Sequence, residues 1–242
     1  MPPSPPRPRS SHRLSLLVAI SLGALLGLVA ISRTSAQAPR DARAVAALVQ
    51  GFYDQTRSFQ ADFHQTRFTK VYGRYDRARG TVRFEKPGRM RWDYAAPNGQ
   101  IFVSDGERLL IYQPPEEGED HGQLIEREVS DDQLPAAFAF LTGTGRLDRD
   151  FRFRLLDSAR QGFRDGYVLE LRPREPSPHY ERVLFFVRIP EGTPAGVIHR
   201  VLIIDSAGNR NRFDFSNMRF NRPSPAGSFS YTPPTGTRRV HP

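Results

Sequence analysis

Residues 82–94 read Val82-Arg83-Phe84-Glu85-Lys86-Pro87-Gly88-Arg89-Met90-Arg91-Trp92-Asp93-Tyr94. Apolar and charged side chains alternate on both sides of Lys86-Pro87-Gly88, and a period of two is that of a strand with one buried face. The same period holds upstream, where Phe59, Ala61 and Phe63 alternate with Gln60, Asp62 and His64. Downstream come Ile101 to Val103 and Arg108 to Tyr112. Pro97-Asn98-Gly99 and Ser104-Asp105-Gly106-Glu107 separate them, and their Asn-Gly and Asp-Gly pairs supply the positive φ of tight hairpins. This is an antiparallel meander. Further strands are expected at Leu124 to Val129, Phe151 to Leu156, Tyr167 to Leu171, Val183 to Ile189, Val197 to Ile204 and Asn211 to Met218, with a short last one at Phe229 to Tyr231.

Two segments have a helical period instead. From Asp41, the residues Val45, Leu48, Val49 and Phe52 share one face, with Arg43, Gln50, Asp54 and Arg57 opposite. Further on, Asp131 can cap a second helix in which Leu134, Phe138 and Leu141 recur, ending at Gly143. About eleven strands with two helices predict a mainly β protein, one large curved antiparallel sheet closed or nearly closed into a barrel. The Pro-rich end from Pro223 reads as an extended tail with one paired stretch.

The chain has 242 residues, 38% of them apolar, with no cysteine and a formal charge of +9. That is enough apolar content for a real core, which excludes disorder and a disulfide-stapled miniprotein. Of the 35 basic residues, Lys70 and Lys86 are the two lysines, a bias that reflects coding composition more than a partner. Residues 1–38 read as a secretory signal: Arg7, Arg9 and Arg13, then the apolar run Leu14 to Ile31, then Ala36-Gln37-Ala38 for cleavage. The alternative is an uncleaved anchor, since 18 apolar residues just span a bilayer. Cleavage after Ala38 leaves one domain, 39–242, and removes four arginines and no acid, so +9 becomes +5. That balance argues against nucleic acid as a partner. All 17 Phe, all 8 Tyr and the single Trp lie in the mature part. They either fill an ordinary barrel core or leave an apolar cavity inside a wide sheet.

Catalytic patterns are poor. There is no G-x-S-x-G elbow, phosphate loop or Cys nucleophile, and the six His never fall at zinc-ligand spacing, so neither metal nor cofactor is expected. Gly143-Thr144-Gly145 follows a helix and lacks a third glycine, so it reads as a helix stop. The acidic run Glu116 to Asp120 matches no calcium cage and reads as a solvated loop within Pro114 to Gln123. Asp148 and Asp150 flank Arg149 and could run acid/base chemistry on a sugar, although a surface turn explains them as well.

The order of motifs resembles the periplasmic lipoprotein carrier family, LolA. The stretches that carry the resemblance are Phe59-Gln60-Ala61-Asp62-Phe63-His64-Gln65, Lys86-Pro87-Gly88-Arg89-Met90-Arg91-Trp92-Asp93-Tyr94, Gln100-Ile101-Phe102-Val103-Ser104-Asp105-Gly106 and the closing Phe229-Ser230-Tyr231-Thr232-Pro233-Pro234-Thr235-Gly236-Thr237. The resemblance implies an unclosed antiparallel barrel of about eleven strands whose helices form a lid over a hydrophobic cavity. It also implies a monomeric chaperone, not an enzyme. Such a carrier takes acylated lipoproteins from an ATP-driven inner-membrane transporter and hands them to an outer-membrane receptor.

On that reading the acyl-chain cavity draws on Phe63, Phe84, Met90, Trp92, Tyr94, Ile101, Val103, Leu110 and Tyr112, and the lid on Leu134, Phe138 and Leu141. Lys86 stands where the family usually has Arg and is the candidate contact to the lid or a partner; it lacks the planar guanidinium fork. Three other readings remain at this stage: a related periplasmic lipid-binding or lipoprotein-sensing protein, an exported hydrolase using Asp148, Asp150 or a His, and a basic module docking on an anionic surface.

Overall fold

The computed structural model describes residues 41–129, 145–189 and 195–240. The expected signal segment, and the expected helix from Asp131 with Leu134, Phe138 and Leu141, lie outside the described residues.

Among the described residues, twelve strands form a single sheet. In chain order they are β1 (Ser58–Thr69), β2 (Arg74–Glu85), β3 (Arg89–Tyr94), β4 (Ile101–Asp105), β5 (Arg108–Gln113), β6 (Gln123–Glu128), β7 (Phe151–Leu156), β8 (Gly166–Pro173), β9 (Arg182–Arg188), β10 (Ile198–Ile204), β11 (Arg210–Phe220) and β12 (Arg238–Val240). The spatial order is β12-β6-β5-β4-β3-β2-β1-β11-β10-β9-β8-β7, so the sheet stays unclosed with β12 and β7 as its edges. Every pairing is antiparallel except that of β12 with β6. β1 and β2 make the longest hairpin, paired from Ser58↔Glu85 to Thr69↔Arg74 and closed by a 3-10 turn at Lys70–Tyr72.

The sheet is rolled. Two strands, β2 and β1, stand between β3 and β11, which in a flat sheet would separate their side chains by about 14 Å at ~4.8 Å per strand. Yet the rings of Trp92 and Phe213 lie 5.3 Å apart. One apolar cluster therefore collects the concave face of strands from β5 round to β7.

Helix α1 (Ala42–Gln55) lies against that face and is capped by Asp41, whose carboxylate accepts from the Ala44 N–H at 2.8 Å. Its buried face is turned from the sequence expectation. Val45, Ala46, Val49, Gln50 and Tyr53 are buried, while Leu48 and Phe52 are half-exposed. Gln50 can be inside because both ends of its amide are used. Its Nε2 donates to Asp54 at 2.7 Å and its Oε1 accepts from the Leu147 N–H at 2.9 Å, which ties α1 to the short helix α2 (Leu147–Asp150). Gly196 lets the chain pass close beneath: a Cβ there would sit 2.4 Å from the Leu48 carbonyl oxygen, and φ is +93°.

The chain end differs from expectation. Phe229 to Tyr231 is not a strand, and the last strand is β12 at Arg238–Val240. The segment before it is cut by Pro223, Pro225, Pro233 and Pro234, which cannot donate to a ladder, and closes small turns such as Ser230 N–H to Gly227 O at 3.2 Å. It crosses the convex face as a strap.

Candidate functional site

The concave face has two halves with different packing. Under α1, the side chains of Leu169, Leu171, Val183, Phe185 and Val187 are fully buried. The helix is fastened there by the Tyr53 hydroxyl, which accepts from the Ile198 N–H at 3.3 Å; burial pushes that phenol well above its ordinary range. At the same last turn of α1, Lys86, just past the end of β2, donates its ammonium to the Tyr53 carbonyl at 2.6 Å. Burial lowers the lysine's proton affinity and Asp54 opposes the shift. Lys86 thus meets the last turn of α1, where carbonyls lack intrahelical partners.

The half floored by β3 to β6 is apolar and less filled. Register places Trp92, Phe102, Ile111 and Ile125 side by side on this face, and Met90, Ser104 and Leu109 in the next row. Met90, Trp92 and Leu109 are buried, whereas Tyr94, Phe102, Ile111 and Ile125 keep part of their surface accessible. Phe63 anchors the ring cluster, 5.0 Å from both Trp92 and Tyr94. The Tyr94 phenol is pushed up to about 12, by burial first, with Arg67 and a hydrogen bond to Gln65 opposing. Ser104 is fully buried and its hydroxyl oxygen accepts the Gly106 N–H at 3.1 Å. Such a floor offers area and polarizable Met and aromatic groups, and few directional bonds. It suits a chain that is apolar and variable in shape.

The sequence-predicted cavity residues separate into two groups. Phe63, Phe84, Met90, Trp92 and Tyr94 stand together on the concave face. Ile101, Val103, Leu110 and Tyr112 do not join them. Ile101 is paired with Asp93 and Tyr112, and Val103 with Arg91 and Leu110, so all four point to the convex side. There the strap lies over Val103, Leu110 and Tyr112. Tyr231 packs on Tyr112 with rings 5.4 Å apart, and Val103, Leu110, Phe229 and Tyr231 border a cavity of about 260 Å³. Arg91 holds the strap down: its Nη1 donates to the carbonyls of Ser228 at 3.3 Å and Ser230 at 3.1 Å, while its Nε binds Asp93 at 2.8 Å. Arg89 places its guanidinium 5.2 Å from the centre of the Phe229 ring.

Phe102, Leu109 and Ile111 are the floor residues that alternation missed. β4 and β5 are buried on both faces, so Leu109-Leu110-Ile111-Tyr112 has no polar residue to mark the outside. The usable signal is the two-residue turn Gly106-Glu107. The Asp105 carboxylate accepts the N–H groups of Arg108 at 2.8 Å and Glu107 at 2.9 Å, bonds that hold its pKa below the ordinary value. That turn pairs Ser104 with Leu109 and Phe102 with Ile111.

The acid/base alternative finds no support in the geometry. Asp148 is bound by Arg146 at 3.3 Å, a hydrogen bond that lowers its pKa. For Asp150 burial opposes ionisation, but Arg149 at 2.6 Å and the Arg146 N–H at 2.9 Å outweigh it and hold the carboxyl below its ordinary value. Two ionised carboxylates, each with its own arginine, lack the raised pKa of a general acid. Among the described residues, no group of three His, Asp or Glu side chains could hold a metal ion.

Comparison with known proteins places this architecture. The family model described as outer membrane lipoprotein carrier protein LolA matches residues 54–232. An outer-membrane lipoprotein carrier protein of Bordetella avium is 32% identical over 215 residues, covering 85% of this chain and 95% of the relative. The protein of the same name from Nitrosospira multiformis is 30% identical over 188 residues, covering 78% and 84%. Among solved structures, a LolA superfamily protein from Nitrosomonas europaea covers 80% of this chain and 99% of its own, at 18% identity and a TM-score of 0.44.

Proposed function

The chain belongs to the outer membrane lipoprotein carrier family, LolA, and from that premise we propose where and how it holds its cargo. It is a lipoprotein carrier. Acyl chains of lipoproteins lie on the floor of β3 to β6, over Met90, Trp92, Tyr94, Phe102 and Ile111, with α1 as one wall. The observation that supports this reading is the contrast between the two halves of the concave face, one filled by α1 and the other apolar yet partly accessible.

The physics fits a carrier that must also let go. Each methylene removed from water contributes roughly 0.8 kcal/mol, so a few contacts per chain hold an acyl group against solution. A floor of Met and aromatic side chains gives that area without a fixed shape, and binding without directional bonds leaves release to differential affinity at the next acceptor. The protein acts in the periplasm after removal of residues 1–38, as a monomer and without catalysing a reaction of its own. An ATP-driven inner-membrane transporter loads it and an outer-membrane receptor unloads it.

The test is transfer. Mature protein is incubated with membranes that hold a labelled lipoprotein, the transporter and ATP, and the soluble complex is counted. Ile111→Glu and Phe102→Glu are expected to cut it at least ten-fold, because a carboxylate on the floor must be desolvated beneath each chain. Leu110→Ser, one residue away on the convex face, is expected to leave uptake unchanged. Full uptake by both glutamate variants refutes this placement.

A further inference from the structure

The largest exposed apolar side chains among the described residues do not border the concave floor. Val71 is 81% exposed, Tyr72 79% and Tyr75 55%, and all three lie at the tip of the β1–β2 hairpin. Together they make a small apolar prominence.

The prominence is built and braced. The 3-10 turn is closed by the Gly73 N–H to the Lys70 carbonyl at 3.2 Å, and Gly73 takes the left-handed conformation the turn needs. Behind it, the Lys70 N–H donates to the Asn209 side chain at 2.9 Å, which ties the tip to the β10–β11 turn. Phe68 and Tyr75 pack 4.6 Å apart, and the Arg210 guanidinium lies 5.7 Å from the centre of the Phe68 ring. A hairpin end stiffened in this way, with its apolar groups turned outward, presents them to something.

The charge around it names the chemistry. Arg67, Lys70, Arg74, Arg77 and Arg210 surround the tip, against Asp76 and Asp205. Asp76 is paired with Arg74 at 3.1 Å, and Asp205 accepts from the Asn209 side chain at 2.7 Å. Arg67 and Arg210 also border a cavity of about 290 Å³ beside the tip. Apolar and aromatic groups at the apex, with a collar of cations one turn behind, match the two layers of a bilayer interface, acyl boundary inside and anionic headgroup outside.

We propose that the β1–β2 hairpin tip docks the carrier reversibly on anionic phospholipid bilayers, with Val71 and Tyr72 entering the interface and Lys70 and Arg74 holding the headgroups. One aliphatic and one aromatic side chain with a few charges give weak, salt-sensitive binding. That is what a shuttle needs: it searches along a membrane surface without staying there. The proposal is independent of where cargo binds.

The experiment is vesicle co-sedimentation of the mature protein, without lipoprotein or transporter. The vesicles are phosphatidylcholine alone, or phosphatidylcholine with about one-third phosphatidylglycerol. Binding is expected to the anionic vesicles and to fade as the Debye length falls from about 10 Å at 0.1 M salt to about 3 Å at 1 M. Lys70→Glu and Arg74→Glu should each weaken it about five-fold or more, and Val71→Ser with Tyr72→Ser at least ten-fold. Tyr72→Trp should give a blue-shifted emission component on anionic vesicles. All these positions are exposed, so thermal melts should match the parent. Ile111→Glu should bind vesicles normally; if it does not, the lipid is entering the cargo floor and the proposal is overturned. Equal binding to both vesicle types, or undiminished binding by the serine variant, overturns it too. A tip variant that keeps vesicle binding but loses transporter-dependent uptake would assign the tip to a protein partner and likewise overturn it.

Discussion

Arg91→Ala tests the assignment of faces. Arg91 grips the strap from the sheet: it donates to two strap carbonyls and to Asp93, and its side chain is mostly buried. A hydrogen bond from a charged donor contributes about 1.5–3 kcal/mol, less where water can replace it. Asp93 also has Arg83 at 3.8 Å, so its carboxylate is not left alone. The net loss is about 2 kcal/mol, and it falls on the strap and the strands beneath it. Local opening should become about 30-fold more frequent, since 1.4 kcal/mol is a factor of ten. Hydrogen exchange read by mass spectrometry should accelerate by that factor in peptides covering residues 221–240 and the β4–β5 hairpin, while β8 to β10 keep the parent's rates. The single tryptophan supplies an internal control. Trp92 faces the opposite side, against Phe63 and Phe213, so its emission should not move. If Trp92 emission shifts red while strap exchange is unchanged, then Arg91 faces the cavity and the assignment of Val103, Leu110 and Tyr112 to the convex side is wrong.

Two further outcomes follow from the packing. Glu170 has a side chain only 2% exposed and meets Arg154, Arg172 and Arg182 at 3.0, 3.2 and 3.4 Å; burial opposes its ionisation, but the arginines win and its pKa is lowered. A carboxylate depressed in the folded state contributes stability that is present above its unfolded pKa of about 4.3 and lost as pH falls through the folded value. Glu170→Gln should therefore flatten the acid limb of a plot of melting temperature against pH below about pH 4.3, and an unchanged limb would rule Glu170 out as a contributor. At Gly80, a Cβ would stand 2.0 Å from the Asp93 carbonyl oxygen and 2.9 Å from the Phe63 ring. Gly80→Ala should cost about 3 kcal/mol and lower the melting temperature by roughly 6–12 °C; a shift under a degree would show that β2 and β3 can part without penalty.

Much of the fold is written in local pattern. Phe59-Gln60-Ala61-Asp62-Phe63 and Met90-Arg91-Trp92-Asp93-Tyr94 carry their inner face explicitly, because a charged or polar residue marks every outward position. Asp41 announces the start of α1, and Asp105-Gly106 a tight turn. Sequence failed where a segment is covered on both sides. Leu109 to Tyr112 is apolar throughout, since the concave cluster lies on one side and the strap on the other. Gln50 misled for the reverse reason. A polar side chain is counted as outward, yet its amide is inside because α2 and Asp54 satisfy it.

The sequence by itself determined that this is a meander of strands behind an amphipathic helix, and that its motifs are those of a lipoprotein carrier. These are local properties, set by periods of two and of 3.6 and by turn residues. Tertiary structure alone decided that Phe102 and Ile111 join Trp92 on the floor, that Val103 and Leu110 lie under the strap, and that Val71 and Tyr72 stand free at the hairpin tip. Each depends on what a distant segment covers. The strap comes more than a hundred residues after the strands it buries, and no window of sequence contains both sides of that contact.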